Sequence, residues 1–225
     1  MWRARIPHSS DAVEDTALLH AGVGEWEALE EPWRECLQLA WDAYRAGTVP
    51  VGAIVVDANG RVVARGRDRI FEAQSTDGSL AGTRLAHAEV NALAQLPVTA
   101  RYFDHTLYSA LEPCLLCVGA AAMSTVGSIR YAAADPSGGA CHAEIAFEEL
   151  VRRKLVIEGP YGGWAAELAQ ALSVAFWLTR ERRYDWIVDS HGREAERAAK
   201  RVLALGDPGP RLADALPRLL DAVAV

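Results

Sequence analysis

Residues 106–120 read TLYSALEPCLLCVGA. TLYSAL has the aromatic, apolar character of a buried strand, and CLLCVGAAAMSTVG from Cys114 reads as a helix. Cys114 and Cys117 therefore fall at a helix start. Positions i and i+3 share a helix face, so both sulfurs reach a single ion. The pair has three readings: a metal clamp, a redox couple, or two core thiols.

The same alternation continues on both sides. LAHAEVNALAQL (85–96) predicts a helix ending before Pro97. IRYAAAD (129–135) predicts a strand, AEIAFEELVRRK (143–154) a helix and LVIEG (155–159) a strand. Upstream, Trp33, Leu37, Ala40, Trp41 and Tyr44 recur at helical spacing, with Pro32 suited to the start and Gly47 to the end. In VPVGAIVVDANGRVVARGRDR (49–69), two β-branched runs flank Asn59-Gly60, a hairpin signal. FEAQSTDGSLAGTRL (71–85) reads as a loop. From Gly162 the pattern turns helical, over 163–183, 191–204 and 209–223. Strands alternating with helices predict an α/β fold whose sheet is largely parallel after the opening hairpin. The chain divides into an N-terminal extension (1–30), a core (31–160) and a C-terminal helical extension (161–225).

The bulk properties narrow the class. A chain of 225 residues, 51% hydrophobic and 24% charged, is an ordinary globular composition. It holds no run of about 18 apolar residues, so no membrane helix is expected. The opening MWRARIPHSSDAVED lacks the pattern of a secretory signal. Four cysteines in this length form no disulfide framework, which places the protein in a reducing cytoplasm and favours metal or redox chemistry for a close pair. The net charge of −7 argues against a large polyanionic partner. The run 176–201 holds seven Lys/Arg against five acids, a thin patch or a solvated helix face.

His87-Ala88-Glu89 opens one helix and Pro113-Cys114-Leu115-Leu116-Cys117 the next. Open α/β folds put their sites at such sheet-to-helix connections. The helix dipole favours thiolate, the ligand form of cysteine. With His87, the two sulfurs make three soft ligands, the set of a catalytic zinc site with one open position. Zinc lowers the pKa of water in that position towards ~7, and Glu89, two residues past His87, is placed to move its proton. The rival reading of Glu89 is a carboxylate that only complements the helix dipole.

HAE, then 23 residues, then PCLLC resembles the zinc-dependent cytidine/deoxycytidylate deaminase superfamily, whose signature is H-x-E…P-C-x-x-C. The branch of tRNA adenosine, guanine and fungal-type cytosine deaminases is most similar, over 31–160. The resemblance implies a three-layer α/β/α fold with a mixed five-stranded sheet, hydrolytic deamination of an amino-heterocycle, a Zn2+ cofactor and a homodimer. It assigns His87, Cys114 and Cys117 as metal ligands and Glu89 as the catalytic acid/base. Substrate contacts would fall at Asp68, Ala88 and Glu112. The chain departs from the family at Asp68, where the branch commonly carries Asn. A carboxylate only accepts hydrogen bonds, so a substrate edge meeting Asp68 must donate; the other reading of Asp68 is a turn residue. The loop from Asp68 to His87 is longer than in compact relatives, a lid, a specificity loop or an idle insertion. DWIVD (185–189) resembles the closing segment of fungal-type cytosine deaminase. That would bring Trp186 and Asp189 to the pocket, against the alternative of an amphipathic helix. Trp164, Phe176 and Trp177 read as packing. Cys36 reads as core, Cys141 as a loop residue, and His105 and His142 as surface residues.

Three functions are compatible with these residues. The first is deamination of a small amino-heterocycle, a nucleobase or nucleoside. The second is tRNA adenosine-to-inosine editing. The third is a non-catalytic, zinc-stabilised binding module.

Overall fold

A computed structural model describes residues 23–141, 155–207 and 209–223. Residues 1–22 of the expected N-terminal extension, the helix expected over 143–154, and His142 lie outside the described residues. Helix α1 (Val23–Ala28) occupies the rest of the extension, and Trp26 packs against Trp164 with ring centroids 6.4 Å apart.

Helix α2 (Glu31–Arg45) starts at Pro32 and stops before Gly47, whose φ of +72° reverses the chain at no Cβ cost. Its buried stripe is Trp33, Cys36, Leu37, Ala40, Trp41 and Ala43; four of the five residues at helical spacing fall on it, and the fifth, Tyr44, is half-buried at its edge. The hairpin forms as its sequence predicts. Strands β1 (Gly52–Val56) and β2 (Val62–Arg67) flank a turn in which Asp57 accepts from the backbone of Asn59 and Arg61. Helix α3 (Ala88–Leu93), strand β3 (Thr106–Leu111), helix α4 (Leu115–Met123), and strands β4 (Ser128–Ala133) and β5 (Val156–Glu158) follow. The sheet order is β2-β1-β3-β4-β5. The hairpin joins it antiparallel to β3, and β3, β4 and β5 run parallel.

Alternation along the strands sorts the layers. Gly52, Ile54 and Val56 face α2, whose Trp33 packs on Ile54 and Tyr108. Ala53 and Ser109 point to the other face, with Gly66 against the backbone of α3. The result is the mixed five-stranded α/β/α sandwich implied by the resemblance, with α4 beside α3.

Helices α5 (Gly163–Leu178), α6 (Asp185–Ala204) and α7 (Leu212–Val223) complete the described chain. They are continuous with the core. Leu168, Leu172, Leu212, Leu216 and Leu219 are fully buried in the same cluster as Leu37 and Leu107. Trp41 donates to the Gly209 carbonyl at 3.1 Å, and Gln38 bonds both Pro210 and Leu212.

Four boundaries differ from the sequence reading. The 85–96 helix is regular only over Ala88–Leu93, because His87 caps it. The 163–183 helix ends at Leu178, followed by a 3-10 turn over Arg182–Tyr184. The next helix begins at Asp185, not 191, and breaks at Gly192 (φ 82°, ψ 172°). The long loop after β2 is pinned: Asn91 bonds both the N–H and the carbonyl of Leu80, and Arg69 pairs with Glu72 and Asp77.

Candidate metal centre and cavity

His87 and Cys114 are the N-cap residues of α3 and α4, both with extended backbone and neither making a side-chain capping bond. A capping Ser or Asp in those places would stabilise each helix by about 1 kcal/mol. Here the side chains turn toward each other instead. Strands β2 and β3 both run antiparallel to β1, so the segments that leave them enter α3 and α4 at the same sheet end, and Cys117 adds its sulfur from the first turn of α4.

The three ligand atoms form a near-equilateral triangle. Cys114 Sγ lies 3.5 Å from Cys117 Sγ and 3.7 Å from His87 Nδ1, and Cys117 Sγ lies 3.6 Å from the same nitrogen. A tetrahedral zinc with Zn–S near 2.3 Å and Zn–N near 2.05 Å requires edges of about 3.8 and 3.6 Å. The triangle fits one zinc ion. Among the described residues it is also the His/Cys/Asp/Glu cluster with ligand spacing.

The hydrogen bond between the two sulfurs holds Cys114 down at about 4 and pushes Cys117 up. Its bond to Cys114 raises His87 to about 9. The three groups share protons, and a cation among them displaces those protons.

Glu89, in the first turn of α3, is 3% exposed. Ser109 Oγ donates to its Oε1 at 3.0 Å, and its Oε2 sits 3.2 Å from Cys117 Sγ. Burial raises its pKa. The carboxyl is thus fixed beside the ligand triangle with a raised affinity for a proton.

The triangle opens onto a cavity of about 560 Å³. Asp68 lines it and is 2% exposed. Thr48 Oγ1 and the Ile70 N–H both donate to its Oδ1, at 2.6 and 3.0 Å. Burial outweighs these bonds and pushes Asp68 up to about 6. Glu112 also lines the wall, but its two oxygens accept from the N–H groups of Cys141 and Asp135 at 3.1 and 3.3 Å, so it organises the loop after β4. Trp186 is on the wall. Ala88 is fully buried behind it, with its carbonyl against Gly66, and Asp189 is exposed and off the wall.

Residues that sequence reasoning left out complete the enclosure. Trp177, Tyr184 and Ile187 come from the C-terminal helices, Phe71 and Arg84 from the loop after β2, and Asp135 from the end of β4. The rule that sites gather at strand C-termini could have flagged Asp135. Trp177, read as packing, faces the cavity while also meeting Phe176 edge-on and Tyr184 at a tilt. Arg180 lies over Phe71 and Phe176, 4.6 and 4.3 Å from their ring centroids, and so fastens α5 to the loop. His105 is not a free surface residue: its side chain is 16% exposed and packs on Tyr102. Cys36 and Cys141 are buried, and all four cysteines are free thiols.

A family model described as the cytidine and deoxycytidylate deaminase zinc-binding region matches residues 27–133, which identifies the triangle's cofactor as zinc. The tRNA-specific adenosine deaminase of Haemophilus influenzae is 32% identical over 158 residues, 68% of this chain and 86% of that protein. The tRNA(Ile)-lysidine synthase of Deinococcus radiodurans is 34% identical over 196 residues; this covers 84% of this chain, which spans only 30% of that relative's length. Among solved structures, a guanine deaminase from Nitrosomonas europaea aligns at a TM-score of 0.50 and 22% identity, over 66% of this chain and 85% of that one, a likeness of fold.

Proposed function

Because this chain belongs to the cytidine and deoxycytidylate deaminase zinc-binding family, we propose that it hydrolytically deaminates a small amino-heterocycle, a nucleobase or nucleoside. The observation that carries the reading is the juxtaposition of Glu89 with the ligand triangle at the base of a cavity roofed by aromatic residues.

His87, Cys114 and Cys117 would hold zinc, which would supply Lewis-acid activation of water near neutral pH. Glu89 takes one proton from the attacking water and gives it to a ring nitrogen, then carries the remaining hydroxyl proton to the amine, so that the ring carbon gains oxygen and the amine departs as ammonia. Ser109 holds the Glu89 carboxyl in place for both transfers. The enclosed size suits a small molecule. Phe71, Trp177, Tyr184 and Trp186 supply faces on which a planar ring stacks. Asp68 and Asp135 are acceptors, so they select a ring edge rich in N–H donors and disfavour phosphate.

A second reading, tRNA adenosine editing, is favoured by the 32% identity to a tRNA-specific adenosine deaminase. Against it stand the net charge of −7 and the acidic wall. A non-catalytic zinc module leaves Glu89 without a purpose. The four free thiols suit a reducing cytoplasm, and a homodimer, implied by the family, is read by analytical ultracentrifugation.

Ammonia release from a panel of bases, nucleosides and aminotriazines tests the first reading. Inosine formation in a tRNA anticodon stem-loop tests the second. Turnover of the stem-loop and of no panel member overturns the small-molecule reading.

A further inference from the structure

The cavity rim contains a contact in which neither the zinc triangle nor Glu89 takes part. Residues 134–139 leave the C-terminal end of β4, and Asp135, Ser137 and Gly138 line the cavity. The turn is built on one oxygen. Asp135 Oδ1 accepts from Ser137 N–H at 2.8 Å, Ser137 Oγ at 2.5 Å and Gly138 N–H at 3.1 Å. Two side chains of the C-terminal helices reach this turn from behind. Gln170 Nε2 on α5 donates to the Ala134 carbonyl at 3.0 Å. His191 on α6 points Nε2 at Asp135 Oδ1 across 3.8 Å.

His191 is buried, its side chain 1% exposed, and its Nε2 has no hydrogen-bond partner. Its other ring nitrogen, Nδ1, lies 2.8 Å from the Ile187 carbonyl, which accepts and so requires a proton on Nδ1. Ser190 Oγ donates to the same carbonyl at 2.7 Å. This carbonyl is served by side chains one turn before the helix breaks at Gly192. With Nδ1 committed as a donor, Nε2 engages the carboxylate either as a second donor or through a water that donates to both groups. A buried lone pair aimed at a carboxylate would be repulsive. A separation of 3.8 Å is spanned by one water or by a small closure of the turn.

We propose that His191 is a positioning residue. Facing Asp135 across 3.8 Å, it fixes the 135–138 turn, and through that turn the C-terminal helices set substrate affinity without touching the reacting atoms. The inference rests on the cavity being the substrate site. It places part of the specificity apparatus outside residues 27–133, where the family match ends.

The test compares wild type with His191→Leu, His191→Gln and Asp135→Asn, all zinc-loaded. Gln keeps a donor near the Nε2 position, Leu fills the space without one, and Asn keeps the acceptor for Ser137 and Gly138 but loses the charge. Nitrogen NMR of the wild-type imidazole should find the proton on Nδ1, as its contact with the Ile187 carbonyl requires. Hydrogen exchange at Ser137 and Gly138 should quicken about tenfold in His191→Leu and in Asp135→Asn. KM for the best compound of the base and nucleoside panel should rise about tenfold in His191→Leu, with kcat and zinc content held. His191→Gln should recover most of the exchange protection and of the KM. An unprotonated Nδ1 overturns the proposal, as does wild-type exchange in folded His191→Leu, quickened exchange with an unchanged KM, or a Gln variant no better than Leu. If His191→Leu does not fold, His191→Met, a flexible side chain without a donor, gives the same decision. The NMR and exchange measurements need no substrate. A panel without turnover therefore removes the reading of the cavity, while these two still decide the role of His191 at the turn.

Discussion

Replacing Gly66 with alanine would put a methyl group into the backbone of α3. A Cβ built there lies 2.1 Å from the Ala88 carbonyl oxygen, 2.5 Å from the Ala92 nitrogen and 3.0 Å from the Asn91 carbonyl carbon. None of these is a flexible side-chain tip that can swing aside. Restoring an ordinary contact near 3.4 Å requires β2 and α3 to part by about 1.3 Å. Helix α3 carries His87 and Glu89, whereas Cys114 and Cys117 ride on α4. The 3.6 and 3.7 Å edges of the triangle therefore change by an appreciable part of that displacement. Metal sites tolerate about 0.2 Å. Overpacking of this kind costs about 1–3 kcal/mol, and in a chain of this size each kcal/mol lowers Tm by about 2–4 °C. Gly66→Ala should thus melt about 2–12 °C lower, bind zinc at least about tenfold more weakly, and lose about a hundredfold in turnover from misplacement near 1 Å. Gly119→Ala is the control: a Cβ there meets nothing within 4 Å, and the substitution should leave zinc unchanged and raise helix stability by about 0.5–1 kcal/mol. Circular dichroism melts, metal titration with a chromogenic chelator and ammonia release read the three effects. A Gly66→Ala protein with native Tm and stoichiometric zinc would refute the idea that close backbone contact sets the depth of α3.

Glu89→Gln should keep zinc and melt no lower than wild type, since it removes a buried carboxyl whose pKa burial raises, while turnover falls by about 10²–10⁴; near-native activity would reassign the acid/base. Cys114→Ala should lose both metal and thermal stability, and its Tm should no longer respond to a chelator, whereas wild type should fall on chelation. Asp68 carries a pH signature. Its folded pKa is raised to about 6, so the native state binds the proton more tightly and Asp68's contribution to stability falls as pH rises from about 4 to 6. Asp68→Asn should flatten that part of the profile, by at most about 3 kcal/mol, in urea melts at pH 4 and 7. The same variant should shift relative rates across the substrate panel while zinc content stays constant. An unchanged profile and an unchanged rate ranking would place Asp68 outside the site.

The ligand set was legible because its chemistry is local. Helix starts at His87 and Cys114 follow from short-range signals, and i,i+3 spacing on one helix joins two of the three ligands before any tertiary contact is considered. The hairpin at Asn59-Gly60 and the strand at 106–111 were equally local. The helix expected over 191–204 starts earlier, at Asp185, because Gly192 interrupts a run that packing on α5 holds together. Ser109, the partner of Glu89, looked like any small strand residue. Only the antiparallel pairing that sets Ser109 opposite Ala53 turns its hydroxyl to the α3 face.

The residue types and their spacing along the chain were enough to point to zinc and to an alternating α/β chain, since ligand identity and helix phase are properties of neighbouring residues; the three-layer α/β/α sandwich followed from the family resemblance. The enclosure of the cavity was decided by tertiary structure alone. Phe71, Asp135, Trp177 and Tyr184 lie on four separate segments, and no periodicity links them. They meet because α5–α7 share a single apolar core with α2 and the sheet, and burial of that surface is a cooperative, non-local term that acts on the folded chain as a whole.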